Sequence, residues 1–311
     1  MPKIKHVKSA YFGPSMAPYF NLFLSCKGLI ADTNFYDISQ ISEIDTISEI
    51  NGDTKIYIVA TDFRYLSQEF VKIHGNGKAL RKFMSSARRS LILCDSIKKF
   101  WCDFSLHYKD FFTHFYTIDL PIEGLEFANG LTNYKPIYGI PLPYQFCEED
   151  FHVKELDLIT FAGRIDFYPE RKKFIEDLIT SGIPVKLVEN IELGYPKQHQ
   201  VTSHKDYMEF LFKSIFSLNF PGIPQTQGNY FHVKGRYWES LATGCFLIEP
   251  KNTVIETLPF EFNILNYDKT ENIKEIIFDK NVQEKCINDK FVNINRYKEI
   301  FKIENFFHQF E

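Results

Sequence analysis

Three charged residues near the start of one predicted helix have the types and spacing to bind an anion. The stretch 229–250 predicts a helix that begins near Val233 and leads into a buried strand. Lys234 and Arg236 fall in its first turn, where two cations oppose the helix dipole. A docked phosphate would reverse that cost, because the free N–H groups of a helix N-terminus also favour anions. Arg236 and Glu239 share one face, so a surface ion pair is the alternative interpretation.

The second half of the chain predicts strands and helices in alternation. The predicted strands are 156–163, 184–190, 215–220, 245–250 and 262–268, and the predicted helices are 169–182, 204–214, 233–244 and 270–280. Alternation with helices of this length is typical of βαβ units around a parallel sheet. Because such crossovers are right-handed, the pattern predicts a Rossmann-like domain.

The first half predicts a second α/β domain. Its predicted strands are 6–13, 55–62, 90–96, 114–119 and 136–143, and its predicted helices are 67–73 and 78–90. The proline-rich, acidic stretch 139–155 is the expected linker, which divides the chain into domains over 1–150 and 151–290. Residues 291–311 predict an aromatic C-terminal helix that packs on either domain. Two Rossmann-like domains of this kind would face a cleft, with ligands at the carboxyl ends of their strands.

Composition narrows the class of protein. The chain has 311 residues, 44% of them hydrophobic and 24% charged, which fits a globular protein of two domains. A net charge of −4 gives no indication of nucleic-acid binding. No apolar region of signal-peptide type and no run long enough for a membrane span is present, so we expect a cytoplasmic protein. The six cysteines are scattered, as core residues are, and not spaced as a zinc site.

The stretch around Arg236 also resembles a known family. VKGRYWESLATGCFLIEP resembles the donor-binding segment of GT-B glycosyltransferases, and the matching residues are Arg236, Glu239, Leu241, Ala242 and Gly244. The stretches ITFAGRIDFYPERKKFIEDL and DYMEFLFKSIFSLNF are similar to two further marks of the family, in the same order. The resemblance covers about 156–268 and is closest to the exostosin-like and spore-coat-type branches. It implies a GT-B fold with an N-terminal acceptor-side domain and a C-terminal nucleotide-sugar donor domain.

The resemblance implies a donor role for each matching residue. Glu239 would accept hydrogen bonds from the ribose hydroxyls of the donor. Arg236 and Lys234 would hold its diphosphate, the Arg by a two-pronged contact. Gly163 would let the backbone approach the donor, and Arg164 would either contact phosphate or be a solvated loop charge.

Loop residues of the second half are further candidates for the donor site. Gly222 and Gly228 would shape a loop against the sugar, or simply form turns. Tyr195 would flank the base of the nucleotide, although plain packing is an alternative for an aromatic residue in a loop.

The stereochemical course and the catalytic base follow from one departure from the family pattern. Many retaining members carry a second Glu where this chain has Phe231, so we expect inversion. An inverting transferase needs a general base. The candidates that end predicted strands of the first half are Asp62, Asp95 and Asp119. Asp62 is preferred because TDFRY adds an Arg and two rings, and capping a helix or turn is the alternative for each. Asp32 and His74 are further possibilities.

These observations predict an enzyme, a hexosyl- or pentosyltransferase of glycan biosynthesis. Its partners would be a nucleotide-sugar donor and the hydroxyl of a glycan or glycoconjugate, with no nucleic acid. No Asp-x-Asp motif occurs in the chain, so we expect no cofactor and no obligatory metal. The alternatives are a nucleotide-sugar epimerase of the same architecture and a non-catalytic protein that binds nucleotides or carbohydrates.

Overall fold

The chain forms two compact units. The computed structural model describes residues 4, 6–15, 18–60, 63–94, 108–118, 134–148, 151–152, 156–163, 169–190, 200–201, 203–220, 233 and 235–311. The first unit comprises residues 1–143 together with 301–311, and the second comprises 144–300. The last eleven residues therefore belong to the first unit, a point that the sequence left open.

The first unit is built on a six-stranded parallel sheet. Its strands are β1 (Ser9–Gly13), β2 (Thr33–Asp37), β3 (Lys55–Ala60), β4 (Arg89–Leu93), β5 (His114–Thr117) and β6 (Tyr134–Pro136). They are ordered β2-β1-β3-β4-β5-β6, so the chain reverses its direction of sheet growth between β1 and β3. The described helices here are α1 (Pro18–Ser25), α2 (Phe63–Gly75) and α3 (Gly77–Ser85), with 3₁₀ helices at Ile38–Thr46 and Lys109–Phe111.

Side chains of this sheet alternate between two cores. Ile56 and Ile58 of β3 face a cluster formed with α2, α3 and the first 3₁₀ helix. Tyr57 and Val59, which alternate with them in sequence, face the opposite cluster with α1. Both faces of a parallel sheet are covered in this way, which explains why its strands are apolar throughout.

The second unit is a Rossmann-like domain. Its strands are β7 (Asp157–Ala162), β8 (Val185–Asn190), β9 (Gln200–Val201), β10 (Ser214–Leu218), β11 (Phe246–Pro250) and β12 (Ile264–Tyr267). They are parallel and ordered β9-β8-β7-β10-β11-β12, so the sheet grows in opposite directions from β7 and β10. This is the order of a dinucleotide-binding fold, in which ligands bind where the direction reverses.

Helices flank the second sheet. They are α4 (Pro169–Thr180), α5 (His204–Phe212), α6 (Gly235–Thr243), α7 (Thr270–Phe278) and α8 (Lys280–Ile300), with a 3₁₀ helix at Ile255–Thr257. Ser203 caps α5, since its side chain accepts from the backbone N–H of Asp206 at 3.1 Å. Gly182 and Gly244 follow α4 and α6 with φ of +86° and +66°, the left-handed conformation that ends many helices.

The C-terminal segment leaves the second unit and packs on the first sheet. The sequence predicted one helix over this region, but α8 ends at Ile300 and a short helix, α9 (Ile303–His308), follows. The side chains of Phe306, Phe307 and Phe310 are completely buried against the β1 and β3 tyrosines. Burial of these three rings stabilises the packing of the segment on the first sheet.

Both predicted parallel sheets are confirmed, although several elements were missed or misplaced. The elements that the sequence did not predict are β2, β9 and the 3₁₀ helix at Ile38–Thr46. The strand predicted over 136–143 is instead β6 at Tyr134–Pro136. Gly139 lies beyond it with φ of +83°, a conformation incompatible with an extended strand. None of the described helices is long and apolar enough to cross a membrane.

Candidate nucleotide-sugar site at the carboxyl edge of the second sheet

The candidate site lies at the carboxyl ends of β7 and β10, the neighbouring strands between which the sheet changes its direction of growth. Gly163 directly follows β7 with φ of +146°, which an L side chain rarely adopts. A Cβ at this position would also lie 3.2 Å from the Phe161 ring. Because no side chain projects there, the backbone at the end of β7 is open to close approach.

Arg236 reaches the same strand end from helix α6. Its Nη2 donates to the backbone oxygen of Ala162 at 2.6 Å. Its guanidinium carbon lies 5.4 Å from the centre of the Tyr207 ring, and 18% of the side chain is exposed. The other terminal nitrogen, Nη1, is buried and has no hydrogen-bond partner among the described residues. One arm of the guanidinium therefore anchors the side chain, and the other is buried with no hydrogen bond to the described residues.

Glu239, one turn further along α6, is held beside Arg236. Its Oε2 accepts a hydrogen bond from the Tyr207 hydroxyl at 2.6 Å and lies 3.3 Å from Arg236 Nε. Its Oε1 lies 3.7 Å from His204 Nε2, which is beyond an ordinary hydrogen bond. Only 15% of the Glu239 side chain is exposed, so the pair with Arg236 is not the solvated surface pair of the alternative interpretation.

The local charges keep this pair ionised. Burial raises the pKa of the Glu239 carboxyl, but the interaction with His204, the charge of Arg236 and the Tyr207 hydroxyl outweigh it, so the pKa lies below its ordinary value. Burial lowers the pKa of Arg236, and Tyr207 and Glu239 reverse that effect and raise it. The site thus presents one cation and one carboxylate to a ligand at neutral pH.

Three side chains that the sequence did not identify support this pair. His204 and Tyr207 lie one turn apart on α5, which packs against α6. The Tyr144 hydroxyl lies 2.6 Å from His204 Nδ1 and fixes the ring from the other side. His204 and Tyr207 stand at positions i and i+3 of a predicted helix, which was the available signal. The identity of the facing helix was not available from the sequence.

The described structure brings together three of the predicted donor residues, Gly163, Arg236 and Glu239. The other predicted donor and catalytic residues lie outside the described residues; they are Arg164, Tyr195, Gly222, Lys234, Asp62, Asp95 and Asp119. Gly228 and Phe231 also lie outside them.

Two further candidates for the base lie at the wrong end of the first sheet. Asp32 directly precedes β2 and lines a cavity of about 500 Å³ at the amino edge. His74 lies near the end of α2, which starts after β3 and returns to that same edge. Ligands of α/β sheets bind at the carboxyl edge, so the structure argues against both residues.

One described carboxylate does lie at the carboxyl edge of the first sheet. Asp37 ends β2, where it accepts hydrogen bonds from the backbone and hydroxyl of both Ser15 and Ser39. Burial opposes ionisation, yet these four bonds hold the pKa of Asp37 at about 2. A carboxylate so weakly basic is poorly suited to general-base catalysis and serves here to join two loops.

Comparison with known proteins identifies the fold. An α-glucosyltransferase in complex with UDP-glucose and DNA containing an abasic site matches with a TM-score of 0.60 at 12% identity, over 98% of both chains. An α-glucosyltransferase in complex with UDP and a 13-mer DNA containing an HMU base matches with a TM-score of 0.61 at 12% identity, over 100% of this chain and 99% of the other. No protein-family model and no curated protein matches the sequence.

These likenesses and the two parallel sheets define a GT-B-like fold. The assignment to the exostosin-like or spore-coat-type branch stays a prediction. Within the described residues, no group of three or more His, Cys, Asp or Glu side chains is arranged to hold a metal ion.

Proposed function

We propose that this chain is a glycosyltransferase that moves a sugar from a nucleotide-sugar donor to a hydroxyl group of a glycan or glycoconjugate. Arg236 is the observation that carries the proposal. Its guanidinium is anchored at the end of β7 and keeps a buried nitrogen without a described partner. A charged hydrogen-bond donor, placed where a Rossmann-like sheet changes its direction of growth, is suited to bind a phosphate group.

The donor contacts follow from the atoms that remain available. Arg236 Nη1 donates to the diphosphate. Because Gly163 has no side chain, the nucleotide sugar can lie directly against its backbone. Glu239 Oε1 accepts from a ribose hydroxyl, since Oε2 already accepts from Tyr207. UDP-glucose is the donor to test first, because UDP or UDP-glucose occupies the α-glucosyltransferases of similar fold.

Other donor contacts come from residues outside the described part of the chain. Lys234 and Arg164 add positive charge at the diphosphate, Gly222 shapes a loop against the sugar, and Tyr195 flanks the base. These roles rest on the family resemblance of the surrounding sequence.

The chemistry is a displacement at the anomeric carbon. The acceptor oxygen attacks that carbon, the bond to the diphosphate oxygen breaks, and its electron pair leaves with the nucleoside diphosphate. Arg236 stabilises the charge that develops on the leaving group. A base in the first unit takes the acceptor proton. Three candidates each follow a first-sheet strand by two residues: Asp62, Asp95 and Asp119.

Inversion and independence of metal complete the proposal. Inversion rests on Phe231, which stands where many retaining enzymes have a second Glu. Metal independence rests on the lack of an Asp-x-Asp motif and on the cation that Arg236 supplies. The anomeric configuration of the product, read by NMR, tests the first point. A product with retained configuration would contradict the proposed inversion. The name α-glucosyltransferase suggests retention for the structures of similar fold.

The first experiment measures binding. UDP-glucose and UDP should raise the thermal midpoint, and uridine should raise it far less, because it cannot engage Arg236. A ligand at 100 times its Kd stabilises a protein by about 2.7 kcal/mol. The same titration with EDTA tests the need for metal. Equal stabilisation by uridine and UDP would contradict the diphosphate role of Arg236.

Turnover then separates the proposed enzyme from its alternatives. A glycosyltransferase consumes the donor faster when the correct acceptor is present. An epimerase converts the donor without any acceptor, and a binding protein leaves it intact. Mixed glycan acceptors are the first set to assay.

DNA is a second candidate acceptor, although the sequence indicates no nucleic-acid partner. The observation in its favour is that both similar α-glucosyltransferase structures contain DNA, one of them with an HMU base. A duplex carrying an HMU base, with the unmodified duplex as control, belongs in the same assay. Transfer to the modified duplex alone would move the proposed acceptor from glycan to DNA.

Asp62→Asn tests the proposed base. The variant should keep its affinity for UDP-glucose and lose about 10²–10⁴-fold in kcat, the usual contribution of general-base catalysis. The matched control is Asp53→Asn, at an exposed turn before β3. Near-normal kcat for Asp62→Asn would pass the role to Asp119 or Asp95.

A further inference from the structure

A fully buried carboxyl group lies beside the donor site and takes no part in the mechanism above. Glu249 belongs to β11, and its side chain has no exposed surface. Its Oε2 accepts hydrogen bonds from Asn219 Nδ2 at 2.5 Å and from the Tyr237 hydroxyl at 2.8 Å. Asn252 Nδ2 donates to the same Tyr237 oxygen at 2.8 Å. The four side chains form one buried chain of hydrogen bonds, here called the Glu249 cluster.

The Glu249 cluster joins the elements that frame the donor site. Asn219 directly follows β10, and its backbone N–H donates to Ile248 of β11. Tyr237 is the neighbour of Arg236 in the first turn of α6. Asn252 lies just beyond β11. The position of the first turn of α6 therefore depends on the hydrogen bonds that Glu249 accepts from Asn219 and Tyr237.

The surroundings of Glu249 favour the neutral acid. Its two described hydrogen-bond donors are an amide and a phenol, and Oε1 is buried without a partner among the described residues. Among the residues that the structure describes, the titratable groups that face it are the phenols of Tyr237 on α6 and Tyr267 on β12. Burial raises the pKa of Glu249 to about 7, although the bonds from Asn219 and Tyr237 act in the opposite direction.

The charge state of Glu249 matters to an anion at Arg236. β7 and β11 are separated by one strand, β10, so their ends lie about 10 Å apart. At that distance and an effective dielectric constant of about 20, repulsion between one negative charge on Glu249 and one on the diphosphate lowers the affinity for the diphosphate roughly ten-fold. An ionised Glu249 opposes a bound diphosphate, whereas a neutral one keeps the hydrogen bonds without the repulsion.

We propose that Glu249 is a positioning residue of the donor site that works as the neutral acid. It holds Asn219 and Tyr237, and so the first turn of α6, in the arrangement that receives the diphosphate, and its ionisation weakens donor binding. This inference rests on the proposed function, because it concerns the same donor.

Glu249→Gln separates positioning from charge. The Gln carbonyl can accept from both Asn219 and Tyr237, and the side chain never ionises. The matched control is Glu256→Gln, at a carboxylate of the same unit whose side chain is 61% exposed and pairs with Lys251. The probe is UDP-glucose, whose phosphates lack the terminal ionisation near pH 6 that a phosphate monoester has.

The measurement is the Kd of UDP-glucose from pH 6 to pH 8. For the wild type and Glu256→Gln, affinity should fall about five-fold as pH rises across this range, since the full ten-fold or so is reached only above pH 8. For Glu249→Gln, affinity should stay near the wild-type value at pH 6, and most of that fall should disappear. His204 is present in all three proteins, so the difference between profiles belongs to Glu249.

A second readout needs no ligand. Because the pKa of Glu249 is raised by folding, its contribution to stability is fully present below the unfolded pKa and is lost as pH rises to about 7. The thermal midpoint of the wild type should therefore fall relative to Glu249→Gln between pH 5 and pH 7. Parallel midpoint curves would overturn the neutral acid.

The binding outcomes distinguish this inference from the proposed function. Identical pH profiles for wild type and Glu249→Gln, or weak binding by Glu249→Gln at pH 6, would overturn the role of Glu249 while leaving the glycosyltransferase proposal intact. Failure of every variant to bind any nucleotide sugar would overturn the proposed function, and with it the donor role of Glu249.

Discussion

Arg236 and Glu239 occupy positions that a sequence pattern can specify, but their working atoms are selected by neighbours. Ala162 occupies one arm of the guanidinium and Tyr207 occupies one oxygen of the carboxylate. The described contacts leave two buried nitrogens of Arg236, Nε and Nη1, and the Oε1 of Glu239 without a hydrogen bond. Each of the two side chains is therefore held by a hydrogen bond within the fold at one polar atom and keeps at least one other polar atom without such a bond.

Glu239→Gln tests the second of these atoms. When the Gln carbonyl accepts from Tyr207, the amide nitrogen takes the place of Oε1, so the ribose hydroxyl meets a neutral donor in place of a charged acceptor. Hydrogen bonds to charged groups contribute about 1 kcal/mol more than neutral ones, so affinity for UDP-glucose should fall roughly five- to ten-fold. Isothermal titration measures it. Glu209→Gln on α5, where the side chain is 45% exposed, should bind as the wild type does. An unchanged Kd for Glu239→Gln would remove Glu239 from the donor site.

At the scale of elements, α6 is fixed by a close approach to α8. A Cβ on Gly244, which follows α6 with φ of +66°, would lie 2.5 Å from both Cγ and the backbone oxygen of Lys290. Gly244→Ala should therefore lower the free energy of unfolding by about 2–4 kcal/mol, because backbone strain and overlap with α8 add. Urea unfolding measures the change.

Gly182→Ala is the matched control for backbone strain. Gly182 has φ of +86° in the same unit, and a Cβ added there would meet no atom within 4 Å. Its substitution should lower the unfolding free energy by only about 1 kcal/mol. Equal effects of the two substitutions would mean that contact with α8 does not restrict position 244.

At the scale of the whole molecule, the chain crosses between its units twice, near residue 143 and near residue 300. The second crossing delivers the C-terminal rings to the first sheet. Phe307→Ala should lower the free energy of unfolding of the first unit by about 3–5 kcal/mol, since the ring is fully buried. Phe278→Ala, at a ring of the second unit that is 45% exposed, should change the unfolding free energy of its own unit by less than about 0.5 kcal/mol. A loss of unfolding free energy for Phe307→Ala as small as that for Phe278→Ala would show that the tail does not stabilise the first sheet.

The class of fold and the local order of the donor segment follow from the amino-acid sequence. Alternating apolar strands and amphipathic helices specify parallel α/β layers, because both periodicities are local properties of the chain. The spacing of Arg236 and Glu239 on α6 is likewise local, since residues three apart on a helix share a face. Elements with weaker local patterns, such as β2 and the 3₁₀ helix at Ile38–Thr46, were missed for the same reason.

Which distant groups come into contact is known only from the folded chain. Tyr207 donates to Glu239 from a neighbouring helix, and Arg236 of α6 donates to Ala162 at the end of β7. Glu249 accepts hydrogen bonds from Asn219 and Tyr237. The aromatic tail at 301–311 has the pattern of a continuation of α8, yet it ends on the first sheet. Such contacts depend on how strands are ordered and where burial is greatest, and neither is encoded in the spacing of nearby residues.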